Sequence, residues 1–257
     1  MKNSITDINK IKESKEDGIS IKYTFFGIIT ILIIWKLISL NYETIILPSP
    51  ELTFITIKNM LFSKGFWVDI SYSFFRVTIG YLISLFVGAI IGFLMGLNEK
   101  LNQTIKPLIS TLQTIPNISW ILIAIIWFGL NSKIVIFTIF ISLLPIFVIN
   151  TKEGVNSTDP KLLEMAHIYN LSFFNTFKKI YFPSVKPYLN SAAIITIERA
   201  WKIGAMAELL SLDSGIGAGL YWARNNLETE LIFAWTLVLV ILGFSSSKIL
   251  KKIIETN

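Results

Sequence analysis

The chain has 257 residues, of which 53% are hydrophobic and only 16% are charged, and its formal net charge is +6. Soluble domains are about a quarter charged, and the apolar residues here form blocks long enough to cross a bilayer, so the composition indicates an integral membrane protein. The absence of cysteine excludes disulfides, Fe–S clusters and thiolate chemistry, and the single histidine, His167, excludes histidine-based metal sites and Ser-His dyads within the membrane.

The first 22 residues are polar and charged, and an apolar run follows that continues through Trp35 and Lys36. No small-x-small cleavage pattern follows this run. The sequence therefore predicts an uncleaved first membrane span rather than a signal peptide.

Six apolar blocks predict an all-α membrane protein with six transmembrane helices. A helix rises about 1.5 Å per residue, so each block reaches most or all of a hydrocarbon core of about 30 Å. The predicted spans are residues 23–40, 73–97, 108–130, 134–149, 189–212 and 231–247.

The distribution of lysine and arginine predicts the orientation, because these residues are enriched in cytoplasmic segments. With the N-terminus inside, fifteen of them lie in cytoplasmic segments and four in external ones. We therefore expect cytoplasmic tails at 1–22 and 248–257 and a membrane domain at 23–247 with a cytoplasmic insert at 151–188. Because topology accounts for the basic charge, nucleic-acid binding has no support.

The second and third spans carry features of helix packing. Gly88, Gly92 and Gly96 repeat every four residues, which lets a neighbouring helix approach closely, either within one subunit or across a dimer seam. Pro116 and Pro145 are expected to kink the third and fourth spans.

The fifth span contains charged residues, which are costly in a bilayer and often functional. Glu198 and Lys202 have the spacing of an ion pair on a helix. Arg199 then has no further local partner, and its surplus positive charge would suit an anion. Two interpretations remain open here, a polar seam that joins helices and the lining of a water-filled path for a polar solute.

The insert between spans four and five has the pattern of two short helices. Asp159 and Pro160 suit the start of the first, and Asn170 suits a left-handed residue that ends it. Ser172 can cap the second, which Pro183 and Pro187 are expected to end before the next span. We call residues 159–183 the knob. Its apolar stripes are compatible with the bilayer surface, with the chain's own helix ends and with a partner protein.

The knob resembles the "EAA" loop of binding-protein-dependent ABC importer permeases. The matching residues are Glu164, Ala166, Asn170, Phe177 and Pro183. Met165 replaces an alanine and Asn170 replaces the usual glycine, although asparagine tolerates the same positive φ. The segments "LPSP", "SFFRVTIGYLIS", "PLISTLQTIPNISWILIAIIWFGL", "ERAWKIGAMAELL" and "GIGAGL" are similar, in order, to the nitrate/sulfonate/taurine-type branch of these permeases.

The resemblance implies a helical permease subunit in the plasma (inner) membrane of a bacterium that works by alternating access as half of a dimeric pore, with a second, identical subunit. The implied partners are two cytoplasmic ABC ATPase subunits, an extracytoplasmic solute-binding protein that meets the external loops 41–70 and 213–230, and membrane lipid. The five matching knob residues would couple the permease to the ATPases. ATP and Mg would bind to those ATPases and no cofactor to this chain, consistent with the lack of a Walker-type Gly-rich loop.

The implied cargo is a small polar anion of the sulfonate, taurine, nitrate, bicarbonate or vitamin-precursor class. We expect Arg199, Trp201, Lys202 and Glu208 on or beside its pathway. An ion-gradient-driven transporter, an intramembrane enzyme and a passive scaffold are the alternatives. The first would show an internal repeat, which the sequence lacks, and the second would have only carboxylates for catalysis.

Overall fold

The computed structural model describes residue 23 and residues 25–256, so the predicted tail at 1–22 lies outside the described residues. All the regular secondary structure of the described residues is helical. Its helices are α1 (Phe25–Ser39), α2 (Pro50–Leu61), α3 (Lys64–Leu97), α4 (Glu99–Thr114), α5 (Asn117–Phe128), α6 (Lys133–Asn156), α7 (Pro160–Ile168), α8 (Phe173–Thr176), α9 (Phe182–Ser211), α10 (Ile216–Asn225) and α11 (Thr229–Thr256), with a π-helical turn (Phe177–Tyr181) between α8 and α9.

Three helices of the described chain, α3, α6 and α11, are long and apolar enough to cross a bilayer. The bent pair α4 and α5 adds a fourth span if the two helices are counted together. Helix α1 is apolar but shorter, and α9 has 30 residues but carries the charges of the predicted fifth span. The all-helical class agrees with the sequence, whereas the count of six spans stays a prediction.

Several helices are longer than the apolar blocks that predicted them. Helix α3 begins at Lys64 rather than Ser73, and α11 runs to Thr256, so most of the predicted C-terminal tail continues this helix. The predicted external loops are also partly helical, because they contain α2, the start of α3 and α10. Hydropathy misses such extensions because it detects apolar segments, not helices as such.

The predicted third span corresponds to the bent pair α4 and α5, where the helix is interrupted and changes direction more sharply than the kink expected at Pro116. At Pro116 the chain breaks between α4 and α5, and the two helices are bent by 98°. Ile115 and Pro116 both have extended backbone, with ψ of 124° and 141°. Proline disfavours helical geometry in the residue before it, which explains why the helix stops here. Helix α6, in contrast, continues through Pro145.

Helices α3, α6 and α9 form the core of the subunit, and the glycines of α3 face α6 of the same chain. A Cβ at Gly92 would collide with the Val148 carbonyl oxygen, and one at Gly88 would collide with Phe147. Gly96 meets Val155 in the same way. The structure thus places the glycine stripe at a close contact within one subunit.

Candidate functional site

Helix α9 presents two different faces along its length. One face packs into the core through residues that include Ala200, Trp201, Ala207 and Glu208. The other is exposed, and it carries Ile195, Arg199, Lys202, Met206 and Leu210. The three- and four-residue spacing of each set is that of a helix, so the sequence itself separates the two faces.

On the core face, Glu208 is fully buried, and both oxygen atoms of its carboxylate accept hydrogen bonds. Arg76 of α3 donates from Nη1 to Oε1 at 2.8 Å, and Ser73 donates its hydroxyl to Oε2 at 2.7 Å. The backbone N–H of Gly217 also donates to Oε2, at 3.1 Å. A buried charge is tolerable only when it is paired and hydrogen-bonded in this way.

Arg76 is buried as well, with 3% of its surface exposed, and it joins three parts of the chain. Besides Glu208, its Nη1 donates to the Ser214 carbonyl oxygen at 2.7 Å and its Nη2 to the Ser214 hydroxyl at 2.8 Å. Its Nε donates to the Ser132 hydroxyl at 3.0 Å, just before α6. The planar guanidinium therefore ties α3 to α9, to the segment before α6 and to the segment before α10.

The first turn of α10 takes its capping groups from other helices. Its N-cap residue, Gly215, has no side chain, and the N–H of Gly215 donates to Asp69 Oδ1 of α3 at 2.8 Å. The N–H of Ile216 donates to the Ser73 hydroxyl at 2.8 Å. With Gly217 bonded to Glu208, three N–H groups that a helix leaves unpaired are satisfied by α3 and α9.

The glycines of this segment serve close packing between helices. Gly215 has φ +106°, which favours glycine, and a Cβ there would lie 2.5 Å from the Glu208 carboxylate. A Cβ at Gly217 would collide with the Ala205 carbonyl oxygen, and one at Gly219 would collide with Trp235. Only glycine lets α10 come this close to its neighbours.

The four predicted pathway residues divide between the two faces. Arg199 and Lys202 are exposed, whereas Trp201 is buried and donates from Nε1 to Ser246 of α11 at 3.0 Å, and Glu208 belongs to the buried network. The predicted ion pair of Glu198 with Lys202 is not formed within the part of the chain that the structure describes. An ion pair on an exposed helix face contributes little stability, which is consistent with these two side chains not pairing.

The knob begins and turns as its sequence indicates. Asp159 accepts a hydrogen bond from the Lys161 N–H at 2.9 Å and caps α7, and Ser172 caps α8 by accepting from Asn175. Asn170 has φ +48°, and the following residue, Leu171, donates its N–H to the Ala166 carbonyl at 2.9 Å. This is the hydrogen bond of a left-handed helix end.

The expected end of the second knob helix is wrong, because α8 runs through the π-helical turn directly into α9. Pro183 and Pro187 lie in the first turns of α9 and do not interrupt it. The Phe182 N–H bonds to the Phe177 carbonyl, five residues back. A π turn shifts the hydrogen-bond register by one residue, and the missing N–H of Pro183 falls in that shift.

The five residues that match the EAA pattern differ in exposure. Glu164, Asn170 and Pro183 are exposed and Ala166 is buried. Phe177 is half-buried, and its ring packs edge-on against Phe93 of α3 with centroids 5.1 Å apart. The knob thus combines an exposed surface with an aromatic contact to the core of the subunit.

Sequence reasoning missed the partnership of Arg76 with Glu208, since 132 residues separate them. One signal was available. Both charges lie in apolar segments, they have opposite signs, and neither has a partner on its own helix at the spacing of a turn. Two such isolated charges in predicted spans favour a pair between helices.

Comparison with known proteins identifies the family. The model of the "binding-protein-dependent transport system inner membrane component" family matches residues 80–256, more than half of the chain. The bicarbonate transport system permease protein CmpB of Synechococcus elongatus is 32% identical over 234 residues, which cover 86% of this chain and 83% of that protein. The nitrate import permease protein NrtB of Synechocystis is 30% identical, with coverage of 81% and 79%.

A solved structure shows the same fold. A chain of the methionine ABC transporter MetNI, in inward-facing conformations, superposes with a TM-score of 0.61 at 19% identity, covering 75% of this chain and 94% of that chain. The family that the knob and the span motifs indicated is confirmed. The chain belongs to the binding-protein-dependent transport system inner membrane components, the permease subunits of ABC importers.

Proposed function

We propose that this chain forms half of the pore of an importer for a small anion, and that it is driven by separate ATPase subunits. The observation that carries this proposal is the exposed face of α9, where Arg199 and Lys202 present cationic side chains without an ion-pair partner among the described residues. Uncompensated positive charge in a predicted span is costly unless it meets water or an anion.

The names of the relatives support an anionic cargo. Bicarbonate and nitrate, which the relatives' names specify, are both small oxyanions whose oxygen atoms accept hydrogen bonds from guanidinium and ammonium groups. The proposed pathway is lined by Arg199 and Lys202. Trp201 and Glu208 do not line it, because their side chains are buried on the core face of α9.

The proposed partners are two ABC ATPases on the cytoplasmic side, a solute-binding protein outside and a second copy of this chain. The knob is the proposed contact with the ATPases, through Glu164, Ala166, Asn170, Phe177 and Pro183. ATP and Mg are bound by those ATPases. The proposed architecture has six spans, formed by α1, α3, the α4–α5 pair, α6, α9 and α11, with both termini in the cytoplasm.

Co-purification of ATPase activity tests this proposal. The tagged protein is purified from its native membranes in mild detergent, beside Glu164→Lys in the knob and Glu255→Lys in α11 as a control of equal charge change at another exposed site. We expect ATPase activity with the parent and with Glu255→Lys, and little with Glu164→Lys. Activity in all three would overturn the docking role of the knob, and activity in none would overturn an ATP-driven importer.

A further inference from the structure

We infer that the buried network around Arg76 and Glu208 is a latch that makes α10 and α9 move as one body. This inference rests on the proposed function, in which a solute-binding protein contacts the external segments and α9 borders the pathway. If α10 and α9 move as one body, a displacement of α10 by the solute-binding protein also displaces the exposed face of α9.

The hydrogen bonds at the start of α10 are the first step of the argument. Gly215, Ile216 and Gly217 donate their N–H groups to Asp69, Ser73 and Glu208, respectively. Two of these acceptors lie on α3 and one lies on α9. Helix α10 therefore cannot leave α3 without exposing two unpaired donors at its own N-terminus, and it cannot leave α9 without exposing a third.

The connections within the network are the second step. The Ser73 hydroxyl accepts from Ile216 and donates to Glu208, so one oxygen atom joins α3, α9 and α10. Arg76 holds both the carbonyl and the hydroxyl of Ser214, at the start of the turn into α10. Because Ser73, Arg76 and Glu208 each have two or more partners, the network resists the displacement of any one helix.

The fit of the backbones is the third step. Gly217 leaves no room for a Cβ between α10 and the Ala205 carbonyl of α9, and Gly215 leaves none beside the Glu208 carboxylate. Well-packed contacts of this kind are stiff, because a small displacement produces a collision rather than a gradual change. Hydrogen bonds and steric fit thus restrict the same pair of helices.

The test compares Ser73→Ala with Ser71→Ala, the same substitution two residues apart on α3. Ser71 is exposed and donates only to the Trp67 carbonyl of its own helix, so it is a matched control.

The assembled complex in lipid vesicles is measured in two ways, by hydrogen exchange over residues 214–218 and by the ratio of binding-protein-stimulated to basal ATPase activity. A milder variant, Ser214→Ala, removes one hydroxyl partner of Arg76 and serves if Ser73→Ala fails to assemble.

We expect Ser73→Ala to speed exchange at the Ile216 amide about tenfold, as the loss of one buried hydrogen bond implies. The stimulated-to-basal ratio should fall at least about twofold, with basal activity unchanged, and Ser71→Ala should change neither. Faster exchange with an unchanged ratio would show that the network only stabilises the fold, and unchanged exchange would show that Ser73 does not hold α10. A parent complex without ATPase activity would instead overturn the proposed function. The exchange measurement would still show whether Ser73 holds α10 to α3.

Discussion

The charged residues Glu208, Arg199 and Lys202 lie within a few turns of one another on helix α9 but have different surroundings. Glu208 is buried and receives hydrogen bonds from Arg76, Ser73 and Gly217. Arg199 and Lys202 are exposed and have no ion-pair partner among the described residues. The comparison shows that the presence of a charged residue in a predicted span does not by itself reveal the role of that residue. The role follows from the partners of the side chain, and these depend on the face of the helix on which it lies.

The largest expected effect is on stability at the core face. Glu208→Ala leaves the Arg76 guanidinium buried without its counter-ion, and we expect it to destabilise the subunit by about 3–5 kcal/mol. Glu198→Ala, the same change on the same helix, should cost well under 1 kcal/mol because Glu198 has no ion pair among the described residues. Thermal unfolding of both variants in detergent measures the difference, and equal losses would contradict the comparison.

A smaller loss is expected where α10 meets the core face. Gly217→Ala forces a Cβ against the Ala205 carbonyl oxygen and should cost about 1–3 kcal/mol. Gly243→Ala in α11 is the control, since a Cβ there meets nothing within 4 Å and alanine favours a helix. The same unfolding measurement should show opposite signs for the two variants. A neutral Gly217→Ala would mean that the two helices separate easily.

The exposed face should affect transport rather than stability. Arg199→Ala should reduce uptake by about tenfold, the value of one hydrogen bond to a charged group, with an unchanged unfolding temperature. Arg199→Lys keeps the charge but not the planar fork, so an intermediate rate is expected. Uptake of labelled anion into vesicles with the assembled transporter measures both. Unchanged uptake in both variants would exclude Arg199 from the pathway.

The smallest expected effect lies in the knob, whose turn is set locally. Asn170→Ala should cost about 1 kcal/mol or less, because alanine is less suited than asparagine to φ +48°. Asn170→Gly, which restores the residue that the family pattern favours, should be neutral or slightly stabilising. Unfolding in detergent compares the two variants, and a larger loss with glycine would show that the asparagine side chain itself is needed.

Local features of this molecule could be predicted from its sequence. The caps at Asp159 and Ser172 and the left-handed Asn170 depend on a few adjacent residues, and the structure has all three. The apolar blocks located the long helices, although not their ends. These features depend on short-range chemistry, which a single sequence displays.

Features that depend on distant residues could not be predicted in this way. The sharpness of the break at Pro116 depends on the angle between α4 and α5, which a sequence does not display. The π-helical turn just before Pro183 has no simple sequence signal. The capping of α10 by Asp69, Ser73 and Glu208 needed the packing of three helices. The candidate site was therefore found as a set of charges, but its division into a buried network and an exposed face came from the structure.

The absence of cysteine from the chain permits a direct test of the two faces in the assembled transporter. Met206→Cys places a thiol on the exposed face, and Ala207→Cys places one on the core face at the next residue, where the native side chain is fully buried. A charged thiol reagent reacts only where water reaches the thiolate. We predict that Met206→Cys reacts, that the transported anion slows this reaction, and that Ala207→Cys stays unmodified. An unreactive Met206→Cys would mean that lipid or protein covers this face, and it would contradict the proposed pathway.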